Sequence, residues 1–303
     1  MRAAHVALAA LALTACTAGR TPRPVPLPST TPTPTVSTGP YDAVWAGPSG
    51  GRAGGPLVLR GLLADGTEVD AGDEVMSAGP IASNADLAPD GTAIAWHEPG
   101  RVEVWRFGTA ATRHYAVPRV RVAPAPVWSP DGRTIAIGDD FGGSQVVSGY
   151  SLIDVASGRV THVAYRFRGG IESWSPDGRL LALRSAGDSG IDVVDRRGHR
   201  VRRIGARGWS LVTRHSWSPD GAHLLVYVRS SGGLRIEVVS VTTGARVLSA
   251  LAPSGAYVWR DPAHVARRDG QTVVETALNG AVTRLLLMLP RHVPGVFLLR
   301  PAS

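Results

Sequence analysis

An all-β fold, a six-bladed β-propeller of four-stranded antiparallel blades, is predicted by three features: a repeated Pro-Asp-Gly turn at blade-length intervals, an apolar strand pattern after each turn, and a near absence of helix signals. The clear copies are Leu87-Ala88-Pro89-Asp90-Gly91, Trp128-Ser129-Pro130-Asp131-Gly132, Trp174-Ser175-Pro176-Asp177-Gly178 and Trp217-Ser218-Pro219-Asp220-Gly221. Trp259-Arg260-Asp261-Pro262 is a degenerate fifth. The leading residues step by 41, 46, 43 and 42, the length of one blade.

Each residue type suits a tight hairpin. Proline pre-sets φ at the second turn position, aspartate tolerates the third and bonds nearby amides, and glycine accepts the positive φ that follows. The apolar runs Thr92 to Trp96, Thr134 to Ile137 and Leu180 to Leu183 come directly after the turns. Two more strands follow in each repeat, as in Val102 to Phe107 with Thr112 to Val117, Tyr150 to Val155 with Val160 to Tyr165, and Leu234 to Val241 with Arg246 to Leu251. If the turn joins the innermost strand to its neighbour, inner strands end near Leu87, Trp128, Trp174, Trp217, Trp259 and Leu299. The stretch Ala43 to Val69 offers only three strands. The C-terminal strand Val293 to Leu299 therefore completes the first blade beside Tyr41 to Ala46, a closure that removes exposed sheet edges. The tryptophans read as blade-packing residues.

Ahead of the propeller, at 41–303, the chain has two further parts. Arg2 and the mostly apolar run Ala3 to Leu13 form a signal peptide, 1–15, whose eleven-residue apolar run is too short to span a bilayer. It ends in Leu13-Thr14-Ala15-Cys16, which resembles the lipobox of bacterial lipoproteins. That resemblance implies cleavage before Cys16 and acylation of it, giving a membrane-anchored, extracytoplasmic bacterial lipoprotein. A plain secretory peptide cut after Ala18 is the alternative. Residues 16–40 carry the lipidated cysteine and a disordered Pro/Thr-rich linker. Seven prolines and six threonines between Gly19 and Pro40 favour extended polyproline II, a stalk reaching roughly 65 Å at about 3.1 Å per residue.

Composition excludes several chemistries. All 32 basic residues are arginine, so P-loops, Schiff bases and other lysine-dependent mechanisms are out. Cys16 is the only cysteine, which removes disulfides, thiolate nucleophiles and cysteine-zinc sites from the mature fold. The net charge of +8 favours anionic surfaces weakly. Basic and aromatic residues do not interleave as a nucleic-acid platform requires.

Over nearly all of residues 41–303, the Trp-Ser-Pro-Asp-Gly turn and blade length resemble the TolB-type propeller repeat family. WD-repeat (WD40-like) proteins are the near alternative, but no Gly-His and Trp-Asp pairs mark these blades. The resemblance implies the propeller fold and is almost silent on activity. Full TolB proteins carry a separate N-terminal α/β domain, whereas here the stalk runs straight into the first blade.

The candidate chemistry is sparse. Gly47-Pro48-Ser49-Gly50-Gly51 matches G-x-S-x-G, yet it lies between two strands rather than on a strand-to-helix elbow. His97-Glu98-Pro99 departs from H-E-x-x-H because position 101 is arginine and proline breaks the required helix. Asp139, Asp140 and Asp188 occupy loops between the second and third strands of successive blades, where hard oxygen ligands would suit Ca²⁺ as a cofactor. Glu172 and His215 stand at equivalent inner-strand positions in adjacent blades, the residue types of an acid-base pair. Arg119, Arg121, Arg166, Arg168, Arg207 and Arg214 precede inner strands and gather at one mouth of the channel, where guanidinium forks suit carboxylates or phosphates. The expected function is a monomeric binding or scaffold module for an envelope protein or anionic ligand, with a propeller hydrolase or lyase as the alternative.

Overall fold

Each Ser-Pro-Asp-Gly copy closes its hairpin through one repeated set of bonds in the computed structural model of the chain. In the first, Gly132 N–H donates to the Ser129 carbonyl at 2.9 Å, and Asp131 accepts from the Ser129 hydroxyl at 2.6 Å and the Arg133 amide at 3.0 Å. The Ser129 Oγ in turn accepts from the Thr134 amide at 2.9 Å. The Ser175 and Ser218 turns repeat this pattern. Gly132, Gly178 and Gly221 take φ of 66°, 65° and 72°, the left-handed region where a side chain is strained. Partial burial raises the three aspartates, but the serine hydroxyl and the following amide lower them by more, so all sit below the ordinary carboxyl value.

The structure describes residues 41–48, 57–63, 67–72, 85–109, 111–121, 125–139, 146–205, 207–212, 214–230, 233–251, 257–269, 272–279, 281–288 and 297–299. These residues form strands and turns with no helix among them. The signal segment, Cys16, the linker and Asp140 lie outside them.

The first sheet contains β1 (Tyr41–Pro48), β2 (Leu57–Leu63) and β3 (Glu68–Gly72), with β23 (Phe297–Leu299) on the inner side of β1. Pairing of Ala43 with Leu299 and Trp45 with Phe297 closes the first blade with the C-terminal strand, as the repeat count predicts. The second sheet is β4 (Ala85–Leu87), β5 (Ala93–Glu98), β6 (Arg101–Arg106) and β7 (Thr112–Ala116). A seven-stranded sheet follows: β8 (Val127–Trp128), β9 (Thr134–Gly138), β10 (Val146–Asp154), β11 (Val160–Trp174), β12 (Leu180–Ser185), β13 (Ile191–Asp195) and β14 (Arg200–Ile204). Its length comes from β11, whose first half pairs with β10 as an outer strand and whose second half pairs with β12 as an inner one. It is thus two four-stranded units sharing one long strand. The last two sheets are β15 (Trp209–Leu211), β16 (His223–Ser230), β17 (Gly233–Ser240) and β18 (Arg246–Leu251), then β19 (Tyr257–Asp261), β20 (His264–Asp269), β21 (Thr272–Ala277) and β22 (Val282–Met288).

Core side chains pack between successive sheets. Ala93, Ala95, Val102, Val104 and Tyr115 of the second unit meet Trp128, Ile135, Ile137 and Ile153 of the next. The same relation recurs between β8–β11 and β12–β13, and between β13 and β16. Polar ties reinforce it. Trp128, Trp174 and Trp259 donate their indole N–H to the carbonyls of Asp86, Val127 and Ser216 on the preceding inner strand, at 3.2, 3.2 and 2.9 Å. These tryptophans are blade-packing residues, as their position in the repeat predicts, and buried indoles need such acceptors.

The fifth unit departs from the repeat. Its inner strand is split: Trp209–Leu211 pairs with Val226–Val228, Trp217 bridges Leu224, and Val212 and Ser216 both bond the one residue Leu225, so that Arg214 and His215 have no place in the ladder. His215 instead bridges Ser173 on the neighbouring unit's inner strand.

Candidate functional site

Three features converge at the ring's centre and its two faces. The turn face carries a recess of about 50 Å³, rimmed by Pro89, Pro130, Pro176 and Pro219 and walled by Trp128, Trp174, Trp217 and Trp259. Ser173 and His215 also line it. That volume holds a few waters, each needing roughly 15 Å³.

The split inner strand pushes Arg214 and His215 inward. His215 Nε2 lies 2.9 Å from Asp86 Oδ1, on the inner strand three units away along the ring. The other carboxylate oxygen, Asp86 Oδ2, accepts the Trp128 amide at 2.9 Å. Arg214 donates to the carbonyl of Ala85, beside Asp86. Burial pushes the Arg214 guanidinium down, and the Asp86 charge opposes that shift. A set of bonds therefore crosses the channel and ties the fifth unit to the second and third.

The arginines expected at one mouth divide into two groups. Arg119, Arg121, Arg166 and Arg207 are exposed on the segments that carry the chain from an outer strand to the next inner strand, so they share the face opposite the turns. Arg168 lies 3.8 Å from Asp188, and Arg214 is committed to the channel. Asp188 also receives two bonds from Arg184, at 3.0 and 2.7 Å. Asp139 is buried and accepts from the Ser148 hydroxyl at 3.0 Å, with His162 Nε2 at 3.1 Å. Asp139 and Asp188 thus sit in separate polar contacts, the first with Ser148 and His162 and the second with Arg168 and Arg184. Among the described residues no group of three or more His, Cys, Asp or Glu side chains is placed to hold a metal ion.

Glu172 is on β11 next to Ser173, and its side chain is outside the described residues. The pairing partner of His215 is Asp86, which the repeat alignment gives no reason to choose. The only available signal was a polar Asp86 within the apolar context Ala85-Asp86-Leu87. Ser49 of the G-x-S-x-G match is outside the described residues. His97 Nε2 is 3.3 Å from the Val120 carbonyl and is buried, a structural position.

This architecture is a β-propeller, and its fold is similar to that of TolB structures. Among solved structures, TolB from Acinetobacter baumannii matches with a TM-score of 0.59 and 16% identity, covering 87% of this chain and 68% of that one. A putative TolB from Agrobacterium tumefaciens matches with a TM-score of 0.53 and 16% identity, covering 73% of this chain and 84% of that one. No family model matches the sequence, and the comparison with curated proteins found no relative. At this identity the likeness describes the fold.

Proposed function

We propose that the chain is a binding propeller of the bacterial cell envelope, exported by its signal segment, tethered through acylated Cys16 and presenting its arginine face to an envelope protein or anionic ligand. The observation that carries this reading is the set of exposed guanidinium groups of Arg119, Arg121, Arg166 and Arg207 on one face of a rigid ring. Surface arginines held on short connections suit planar anions such as carboxylates and phosphates. Likeness to TolB propellers supports the fold this role uses.

The test is crosslinking of the acylated chain in its own membranes, followed by capture, beside a variant with Arg119, Arg121, Arg166 and Arg207 all changed to Gln. A captured partner that disappears in the variant, with unchanged thermal unfolding, supports the reading. Equal capture by both chains sinks it. Cys16→Ala tests the tether separately, and retention of that chain in washed membranes rules out the acyl anchor.

A further inference from the structure

The four exposed large hydrophobic side chains among the described residues are Val201, Val247, Val282 and Leu285. All lie on the outermost strands β14, β18 and β22 of three successive units. Val201 and Val247 occupy the same place in their units. Each falls between two paired residues where the outer strand carries a bulge, Arg200 and Arg202 in one case, Arg246 and Leu248 in the other. An edge bulge re-aims a side chain, and these two are 60% and 51% exposed.

The two edges are joined. Arg202 donates to the carbonyls of Val241 and Thr242 in the turn before β18, at 2.7 and 2.6 Å. Around the valines, Arg197, Arg200 and Arg246 are exposed. Two nearby carboxylates, Asp192 and Glu237, are 2% and 1% exposed, the first bonded to Arg203 and the second to Arg246, while Asp195 in the turn before β14 is 34% exposed and bonded within its own turn to His199. Basic side chains flanking outward-pointing aliphatic ones, in excess over the carboxylates beside them, match the chemistry of an anionic bilayer surface. Phosphates take the guanidinium groups, and the valines enter the interface.

We propose that the rim formed by β14 and β18 docks on anionic phospholipid, laying the propeller edge against the membrane. This rests on the tethered reading above, because the tether supplies the proximity that a patch of two valines and a few arginines needs. Each arginine removed is expected to lower partitioning to anionic vesicles about fivefold.

The test uses the full acylated chain carrying Val247→Cys. Acylation occupies the native cysteine, so a polarity-sensitive dye reports from one site. A second chain carries the dye at Thr112→Cys, on the outer strand β7 across the ring. In vesicles of phosphatidylcholine with phosphatidylglycerol, the expected result is a blue shift at 247 and none at 112. The shift should vanish in phosphatidylcholine alone, in high salt, and in a chain with Arg197→Gln and Arg200→Gln. Identical behaviour at both positions overturns the proposal. So does a shift without vesicles that grows with protein concentration, which assigns the rim to a second copy, or an equal shift with polyglutamate, which assigns it to an acidic protein. Flotation with vesicles of phosphatidylcholine alone, which the rim does not bind, reads the tether independently. If the chain fails to float, the tether reading fails, and vesicles added in bulk at high lipid concentration still read the rim.

Discussion

Asp86 and His215, 129 residues apart in sequence, meet at 2.9 Å across the centre of the propeller. Their side chains are 4% and 19% exposed, so the contact is largely shielded from solvent. A toroidal sheet arrangement is ordinarily held by each unit's contact with its neighbours. Here the fifth unit also reaches the second directly, because its inner strand leaves the ladder before Trp217. The same carboxylate holds the Trp128 amide, so one side chain joins three units.

Removing Asp86 is therefore expected to cost more than removing His215. Asp86→Ala leaves the buried Trp128 amide without this acceptor and also removes the His215 contact, two losses of about 1–3 kcal/mol each. His215→Ala leaves Asp86 with the Trp128 amide and should cost about 1–3 kcal/mol. Urea unfolding of both variants and of the double variant measures this. Additive single effects would show that the two side chains do not act together.

The serine–aspartate turns predict an acid limb in stability. Asp131, Asp177 and Asp220 have folded pKa values below the ordinary one, as burial is outweighed by the serine and amide bonds. A depressed carboxyl favours the folded state above its unfolded pKa, about 3.9, and loses that contribution as pH falls through the lower folded value. Stability should decline below about pH 4. The three changes Asp131→Asn, Asp177→Asn and Asp220→Asn together should lower stability at neutral pH and flatten that decline. An undiminished acid limb in the triple variant would place its origin elsewhere. These carboxylates are mostly exposed, so each effect should be small.

The turns, the strand pattern, the indole positions and the joined chain ends were all legible in the sequence, because each is a local rule repeated at a fixed interval. Trp128, Trp174 and Trp259 could be assigned to blade packing for that reason. What was not legible depends on contacts between units. The departure at His215 breaks the register that aligned it with Glu172, and no periodicity announces a broken ladder. Asp188 and Asp139 looked alike as glycine-flanked loop carboxylates. Their partners, Arg184 and His162, are set by strand pairing that composition does not reveal. Exposure likewise separates Arg207, ahead of β15, from Arg214, seven residues later within the split inner strand.

Gly149 illustrates such a contact. A Cβ there would fall 2.5 Å from the Val163 carbonyl oxygen and 2.7 Å from His162 Nε2, both closer than real contacts allow. The bare backbone lets the His162 ring cross β10 and reach Asp139, just past the end of β9. Gly149→Ala should expel the ring, strip buried Asp139 of that partner and destabilise the fold by about 1–3 kcal/mol. His162→Gln in the Gly149→Ala background should then add little further loss. A full additional penalty from the second change would show that His162 still reaches Asp139 without the glycine.

Asp192 gathers a second network between units. Arg203 donates to both of its oxygens, at 2.7 and 3.1 Å, and the Tyr165 hydroxyl of the preceding unit donates at 2.9 Å. Burial, then the bond to Asp192 and its charge, push the Tyr165 phenol up to about 12. A raised phenol favours the folded state below its unfolded pKa of about 10, and that contribution is lost as pH rises toward the folded value. Absorbance titration should show Tyr165 still protonated where free tyrosine has ionised, and Tyr165→Phe should lower the amplitude of the late ionisation, which it shares with the more deeply buried Tyr150, at a cost of about 1 kcal/mol. Arg203→Ala uncovers the carboxylate charge and should move the step higher still. In a double-mutant cycle the two changes should be non-additive, because both donors share one buried acceptor. A titration step that stays in place in Arg203→Ala would mean that Asp192 does not govern Tyr165.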